Sequence, residues 1–358
     1  MNRREAVGLL SVGLASDFFT SRPNLAWSER SSPTPSSEPQ NSTTQASDII
    51  RTVSKDIQLS SLAPGPVLFH EHLSAQFSPT STRFRNDVNM MIREVRAAKD
   101  AGISCIVDAG HPDIRRSLSA LRRIDREAGL PIVGSGGFYM ERTYPPDLAD
   151  KSAEEIAQDL IKEARDQHLG AFGEIGQQDG ILKDSERKVF RAIGLAHLET
   201  RLPIYTHNPY IGRRNIEPVP HDAALRQLDL LEQVGVPSQS IALGHMCCLD
   251  DPQALVAITA AKRGAYIGFD RVTLNGIMPD AARVRMAMAV VEAGFSERLL
   301  LSSDFAVEDA LVTRGGPGLA QTATIFAPLL KQAGLPDETL QQILVDNPRN
   351  FLAFNPKI

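Results

Sequence analysis

Six residues of this chain have the types and the placement to hold metal ions: His70, His72, Glu174, His207, His245 and Asp304. His70 and His72 flank Glu71 at the end of an apolar run. Side chains alternate along a strand, so both imidazoles face one side and Glu71 faces the other. Glu174 sits near the end of a second such run, and His207, His245 and Asp304 end three more. Four neutral imidazoles and two carboxylates suit two borderline divalent cations, Zn2+ first, with Mn2+, Fe2+ or Co2+ as alternatives. Each residue alone has a plainer use. A strand-end histidine is often only hydrogen-bonded structure, a histidine pair two apart can be a surface coincidence, and Asp304 after Ser302-Ser303 can cap the following turn. The joint pattern decides: four of the eight histidines fall at the same end of expected strands, joined there by two carboxylates. The other four (His111, His168, His197 and His221) fall in loops or helical patterns and receive no role.

The elements that must position these groups are legible as an alternation. Short runs rich in Val, Ile, Leu and Ala occupy Pro66–His72, Ile103–Ala109, Pro131–Phe138, Gly170–Ile175, Leu202–His207, Ser240–His245, Ala265–Phe269 and Leu299–Asp304. Strands buried on both faces have this character. Between them lie amphipathic stretches, with Val88-Met91-Ile92-Val95 and Leu118-Leu121-Ile124 at helical spacing. Ser152-Ala153-Glu154-Glu155 carries a capping-box pattern, and further helices are expected over 185–200, 222–234, 251–263, 281–294, 319–333 and 337–345. Eight strand–helix pairs predict an α/β fold, a single-domain (β/α)8 TIM barrel over 49–358, whose strand ends converge on one mouth. A doubly wound open sheet is the rival, and no Gly-x-Gly-x-x-Gly follows the first strand to support it.

Composition narrows the class. The chain has 358 residues, 42% of them hydrophobic, and a formal net charge of −5. That is ample for a full core, and without a Lys/Arg-rich run there is no case for nucleic-acid binding. No apolar stretch is long enough for a membrane span. Three cysteines, Cys105, Cys247 and Cys248, make no disulfide framework. Residues 1–27 open with Arg3-Arg4 and a short apolar run, which resembles a twin-arginine export signal and implies a periplasmic or secreted protein. Asp17 interrupts that run and no clean cleavage site follows; the competing reading is a disordered or amphipathic tail on a cytoplasmic protein. Residues 28–48, rich in Ser, Thr and Pro, read as a flexible linker.

With these residues placed, the chain resembles the phosphotriesterase family of the amidohydrolase superfamily, from about Gly65 to Phe354. The landmarks are Phe69-His70-Glu71-His72, Gly173-Glu174-Ile175-Gly176, Tyr205-Thr206-His207, Gly244-His245, Phe269-Asp270-Arg271, Ser302-Ser303-Asp304 and Asn347-Pro348-Arg349-Asn350-Phe351. The resemblance implies a two-metal site: His70, His72 and Asp304 on the more buried ion, His207 and His245 on the more exposed one, Glu174 and a hydroxide bridging them. Many members bridge with a carboxylated lysine. A glutamate here is similar to the phosphotriesterase homology proteins, and it argues against efficient organophosphate hydrolysis. Asp270-Arg271 and Gly137-Phe138-Tyr139 resemble segments of the family's lactonases. Tyr139 would then orient a lactone, and Arg271 would position polar substrate groups or simply pair with an acid at the rim. Asp304 would take the hydroxide's proton and pass it to the leaving group.

The expected activity is therefore hydrolysis of an ester or lactone of small size. The nearest alternatives are a small N-acyl amide or a phosphotriester as a side activity, and a different class is an exported metal- or ligand-binding barrel without catalysis. The resemblance also allows a homodimer, a state common in the family. Cys247 and Cys248 read as packing or rim residues, with a soft ligand near the metals as the alternative. The segment Val307–Leu319 is expected to form the eighth loop over the mouth.

Overall fold

The structure, a computed structural model, describes residues 48–76, 87–212 and 219–356. The expected signal segment and all of the linker except Asp48 lie outside the described residues. Among the described residues ten strands run in chain order: β1 Ile49–Arg51, β2 Asp56–Gln58, β3 Val67–Glu71, β4 Cys105–Asp108, β5 Ile132–Gly136, β6 Ala171–Gly176, β7 Ile204–His207, β8 Ile241–Leu243, β9 Tyr266–Phe269 and β10 Leu299–Leu301. The last eight form one parallel sheet in sequence order. Helices α1 Val88–Asp100, α2 Leu118–Ala128, α3 Ala153–Gln167, α4 Asp184–Thr200, α5 Ala223–Val234, α6 Leu255–Lys262, α7 Asp280–Glu292 and α8 Ala327–Gln332 alternate with them, and α9 Asp337–Gln341 and α10 Asn347–Leu352 close the chain. This is the expected (β/α)8 barrel. The capping box at Ser152 is present, with the Ser152 hydroxyl accepting from the Glu155 N–H and Glu155 accepting from the Ser152 N–H.

All eight expected runs overlap a strand, trimmed at one or both ends, with β6 reaching one residue past its run to Gly176. Two further strands have no counterpart in the expectation. β1 and β2 pair as a short antiparallel hairpin, and β1 also bridges Phe354. Ile50 of that hairpin is buried with Val67, Phe69, Val133 and Ala171 in one apolar cluster. Three-residue strands leave almost no periodicity to detect. The expected helix over 251–263 starts at Leu255 instead, because Asp251 accepts from the Val256 N–H and Ala254 takes a left-handed conformation. The expected helix over 337–345 runs on through a π-helical turn, Gln342–Asp346, into α10, which carries Pro348 near its start.

Where β10 returns to β3, the barrel is held by single bonds rather than by a ladder. The Asp304 N–H donates to His70 O at 3.2 Å, the His72 N–H to Phe305 O at 3.3 Å, and the His70 N–H to Ser302 Oγ at 3.1 Å. Glu71 completes the closure. Its carboxylate, buried completely, accepts from Ser302 Oγ at 2.8 Å, Ser303 N at 2.9 Å, Ser303 Oγ at 2.9 Å and Phe305 N at 2.8 Å. Burial pushes this carboxyl up to about 7, against the pull of those donors.

Glu71→Ala strands two backbone N–H groups that cannot turn away. We expect it to cost about 3 kcal/mol or more of stability. Glu71→Gln must point its NH2 at either Ser303 N–H or Phe305 N–H and recovers only part of the loss. Denaturant unfolding measures both; an unchanged midpoint for Glu71→Ala would remove Glu71 from the closure.

Candidate metal centre

The six side chains expected to act together do converge. His70, His72, Glu174 and Asp304 form one group, and Glu174, His207 and His245 form a second, with the candidate ligand atoms in each within 4.8 Å of one another. Glu174 belongs to both. Its Oε1 lies 3.2 Å from His72 Nε2, and its Oε2 lies 2.7 Å from His207 Nδ1, 3.3 Å from His245 Nε2 and 3.5 Å from His70 Nε2. Asp304 Oδ1 stands 3.0 Å from His72 Nε2. All six residues are buried.

Local sequence explains why the backbone delivers them. The β3–β4 register shifts between Leu68 and Glu71, and the β6–β7 register shifts between Phe172 and Ile175. These irregularities re-aim the strands at His70 and at Glu174. Gly173, at φ +152°, lies where a Cβ would strike the Tyr205 ring at 2.5 Å, and a Cβ on Gly244 would meet Thr206 O at 2.0 Å. The glycines of the Gly-Glu and Gly-His pairs are thus required by contact. His245 (φ 58°) and Asp304 (φ 48°) both sit just past their strands in the left-handed region, a conformation sparsely populated by non-glycine residues and found at functional sites.

Asp270 is a residue whose role the sequence did not disclose. It lies behind two of the imidazoles: Asp270 Oδ2 accepts from His70 Nδ1 at 2.8 Å, and Oδ1 accepts from His245 Nδ1 at 3.0 Å and from the His245 N–H at 2.7 Å. A carboxylate at Nδ1 fixes both rings with Nε2 turned inward. His111, given no role above, is also fully buried, with Nδ1 at 3.1 Å from Asp113 Oδ1. His168 Nδ1 bonds Thr52 O and His197 Nδ1 bonds Leu202 O, which are structural uses.

The remaining expected site residues line the same mouth. Arg271 Nε donates to Asp304 Oδ2 at 2.6 Å, so the acid it pairs with at the rim is itself a member of the cluster. The Tyr139 ring stands edge-on to His207 with centroids 4.9 Å apart. Cys247 Sγ accepts from the Arg271 N–H at 3.3 Å and lies 3.9 Å from Cys248 Sγ. Cys247 and Cys248 are buried, and among the described residues they fall outside the two groups above and outside a third, His70, His245 and Asp270.

The electrostatics call for cations. Burial alone would lower His70, yet Glu174 and Asp270 hold it well above its ordinary value. Burial likewise opposes His72, but hydrogen bonds to Asp304 and Glu174 push it up to about 9. His207 goes the other way, down to about 4, because burial and the neighbouring His245 outweigh Glu174. Among the described residues His70 Nε2 makes no hydrogen bond, although it faces Glu174 and Asp304. An imidazole nitrogen left so, among carboxylates, fits a metal ligand by donor chemistry.

The model of the phosphotriesterase family matches residues 50–352. The chain belongs to the phosphotriesterase family. It is 28% identical over 300 residues to the phosphotriesterase homology protein of Escherichia coli, spanning 80% of this chain and 97% of that one. The crystal structure of that protein with phosphate in its active site superposes with a TM-score of 0.74, covering 80% of this chain and 98% of the other. An aryldialkylphosphatase of Saccharolobus solfataricus is 27% identical over 317 residues, 81% of this chain and 95% of its own. An N-acetyltaurine hydrolase of Xenopus tropicalis is 23% identical over 315 residues, 82% and 86% of the two chains. The family and these relatives are hydrolases, and the buried cluster fits the binuclear metal site typical of the family.

Two outcomes follow from the geometry. Asp270→Asn replaces one carboxylate oxygen by an NH2 that cannot accept from His70 or His245, and metal affinity should fall roughly 10–100-fold; retention during dialysis against a chelator measures this, and unaltered retention would refute the orienting role. For pH, the sign comes from His72. Its pKa of about 9 without metal lies above the ordinary 6.5, so its ion pairs stabilise the metal-free protein below pH 6.5 and fade as pH rises through about 9. A cation binding at pH 7 must displace that proton, so loading should release protons and weaken as pH falls. Calorimetry in buffers of different ionisation enthalpy reads the release.

Proposed function

We propose that the protein is a metal-dependent hydrolase that cleaves carboxylic esters, lactones foremost, at a pair of divalent cations, Zn2+ first. The observation that supports this most directly is that Glu174 is shared by the two clusters. His70, His72 and Asp304 would hold one ion, His207 and His245 the other, and Glu174 both. When bound, such a pair supplies a water acidic enough to lose its proton near neutral pH and a Lewis acid for the substrate oxygen.

The chain's own groups would do the rest. Burial and the nearby Glu174 push the Tyr139 hydroxyl well above its ordinary value, so it stays a donor at working pH and orients the substrate carbonyl. Arg271 commits Nε to Asp304 and keeps a planar fork for polar groups of the substrate. Asp304 receives the proton lost by the attacking water and passes it to the leaving group. Burial would raise this carboxyl, but Arg271 and the His72 hydrogen bond hold it well below its ordinary range, so it carries the proton only transiently.

A second reading keeps the site and changes the bond to a small N-acyl amide; the similarity to N-acetyltaurine hydrolases favours it. Phosphotriester cleavage would be a side activity, supported by the aryldialkylphosphatase relative and weakened by the glutamate bridge. Metal analysis followed by a lactone, ester, N-acyl amide and aryl phosphotriester panel, with that metal supplied, ranks these readings. Turnover should be greatest on a lactone. Glu174→Ala should lose metal and about a thousandfold or more in kcat/KM. A fully loaded wild-type protein inert on the whole panel would make it a binding barrel instead.

A further inference from the structure

Beside Tyr139 lies a polar pair that none of the roles above uses. His111 and Asp113 belong to the loop after β4, and Tyr139 to the loop after β5. Asp113 joins the two loops: its Oδ2 accepts from the Tyr139 N–H at 2.8 Å and from Thr143 Oγ1 at 2.7 Å, while Oδ1 faces His111 Nδ1 at 3.1 Å. Every group around this carboxylate donates to it, which fixes the neutral His111 ring as the Nδ1–H tautomer. Nε2 then carries a lone pair and points away from Asp113. That atom is buried and has no hydrogen-bond partner among the described residues. The ring is 6.5 Å from the Tyr139 ring, which in turn is 4.9 Å from the ring of His207. On the same two loops, Ile114, Tyr139 and Met140 form one small buried apolar cluster with Ala75. A buried acceptor carries a desolvation penalty until a donor reaches it.

We propose that His111 Nε2, oriented by Asp113, is a specificity-determining acceptor that takes a hydrogen bond from an O–H or N–H of the substrate, placed next to the carbonyl that Tyr139 orients. The inference rests on the hydrolase reading above and narrows its substrate class. It selects molecules bearing a hydroxyl or secondary amide N–H close to the scissile bond over otherwise equal molecules without one. A site built to bond a donor rejects the analogue lacking it more strongly than an apolar pocket rejects an added group.

A matched pair tests this: an α-hydroxy lactone and its α-methoxy counterpart, in which a methyl group replaces the donor hydrogen. In metal-loaded wild-type protein, kcat/KM should favour the hydroxy lactone on the order of tenfold, the worth of one hydrogen bond. In His111→Phe that ratio should collapse towards one with metal content maintained, and His111→Gln, which can still accept, should restore part of it. A ratio near one in the wild type, or an unchanged ratio in His111→Phe, overturns the proposal and leaves His111 holding a fixed water or packing the loop. Calorimetric binding of the ring-opened α-hydroxy and α-methoxy acids reads the same preference without turnover. Should the wild type bind the hydroxy acid preferentially yet hydrolyse neither lactone, the ester reading fails and this one stands. Equal binding of the two acids overturns it even in a protein whose variants do not fold.

Discussion

The seam between the first and last strands of the barrel is the constraint on which the site depends. A closed parallel sheet needs its end strands joined, and here β10 and β3 share no regular ladder. Glu71 does the joining through four hydrogen bonds to residues 302–305. Because side chains alternate, the strand that turns Glu71 into the seam turns His70 and His72 into the mouth. The residue gripped by the seam is Asp304, flanked by Ser303 and Phe305. One strand thus fixes two candidate ligands by its inner face and places a third by its outer face. The left-handed backbone at Asp304 is tolerable because its neighbours on both sides are bonded to Glu71.

The second organising force is an excess of buried negative charge. Glu174, Asp304 and Asp270 lie together with Arg271 as their nearby permanent cation. Buried carboxylates without compensation are costly, and something positive must share the space. Without metal, protons do so, which is why His70 and His72 are driven up while Glu174 and Asp304 are driven down. Divalent cations in the same place satisfy the same carboxylates and free the imidazoles to act as neutral ligands. The tight Glu174–His207 contact and the raised pKa of His72 are therefore two aspects of one unbalanced charge.

How much of this the sequence disclosed follows from the type of signal. The eight barrel strands were legible because strands buried on both faces are continuous apolar runs, and the six site residues because they end those runs. The β1–β2 hairpin was not, since its three-residue strands have no pattern of their own and are held by Phe354, some 300 residues away. Asp270 stood next to Arg271 in a recognisable segment, yet its work is on His70 and His245, and only the closed barrel brings those histidines to one carboxylate. His111 looked like a loop residue because its partner, Asp113, is equally ordinary in sequence; what sets the pair apart is burial, which no local spacing encodes.

Arg271 shows how two readings of one residue can coincide. A rim arginine either pairs with an acid or waits for substrate, and these exclude each other only when the acid is a bystander. Here the acid is Asp304, whose other oxygen faces His72 at 3.0 Å, while the Arg271 backbone is tied to Cys247 Sγ two residues beyond His245. Arg271 thus touches Asp304 through its side chain and the segment after His245 through its backbone. A group bound to substrate through its outer nitrogens and to Asp304 through Nε would transmit substrate charge to that carboxylate. Lysine carries its donors on a single nitrogen without the planar fork, so it could not offer one nitrogen to Asp304 and separate outer nitrogens to a second group.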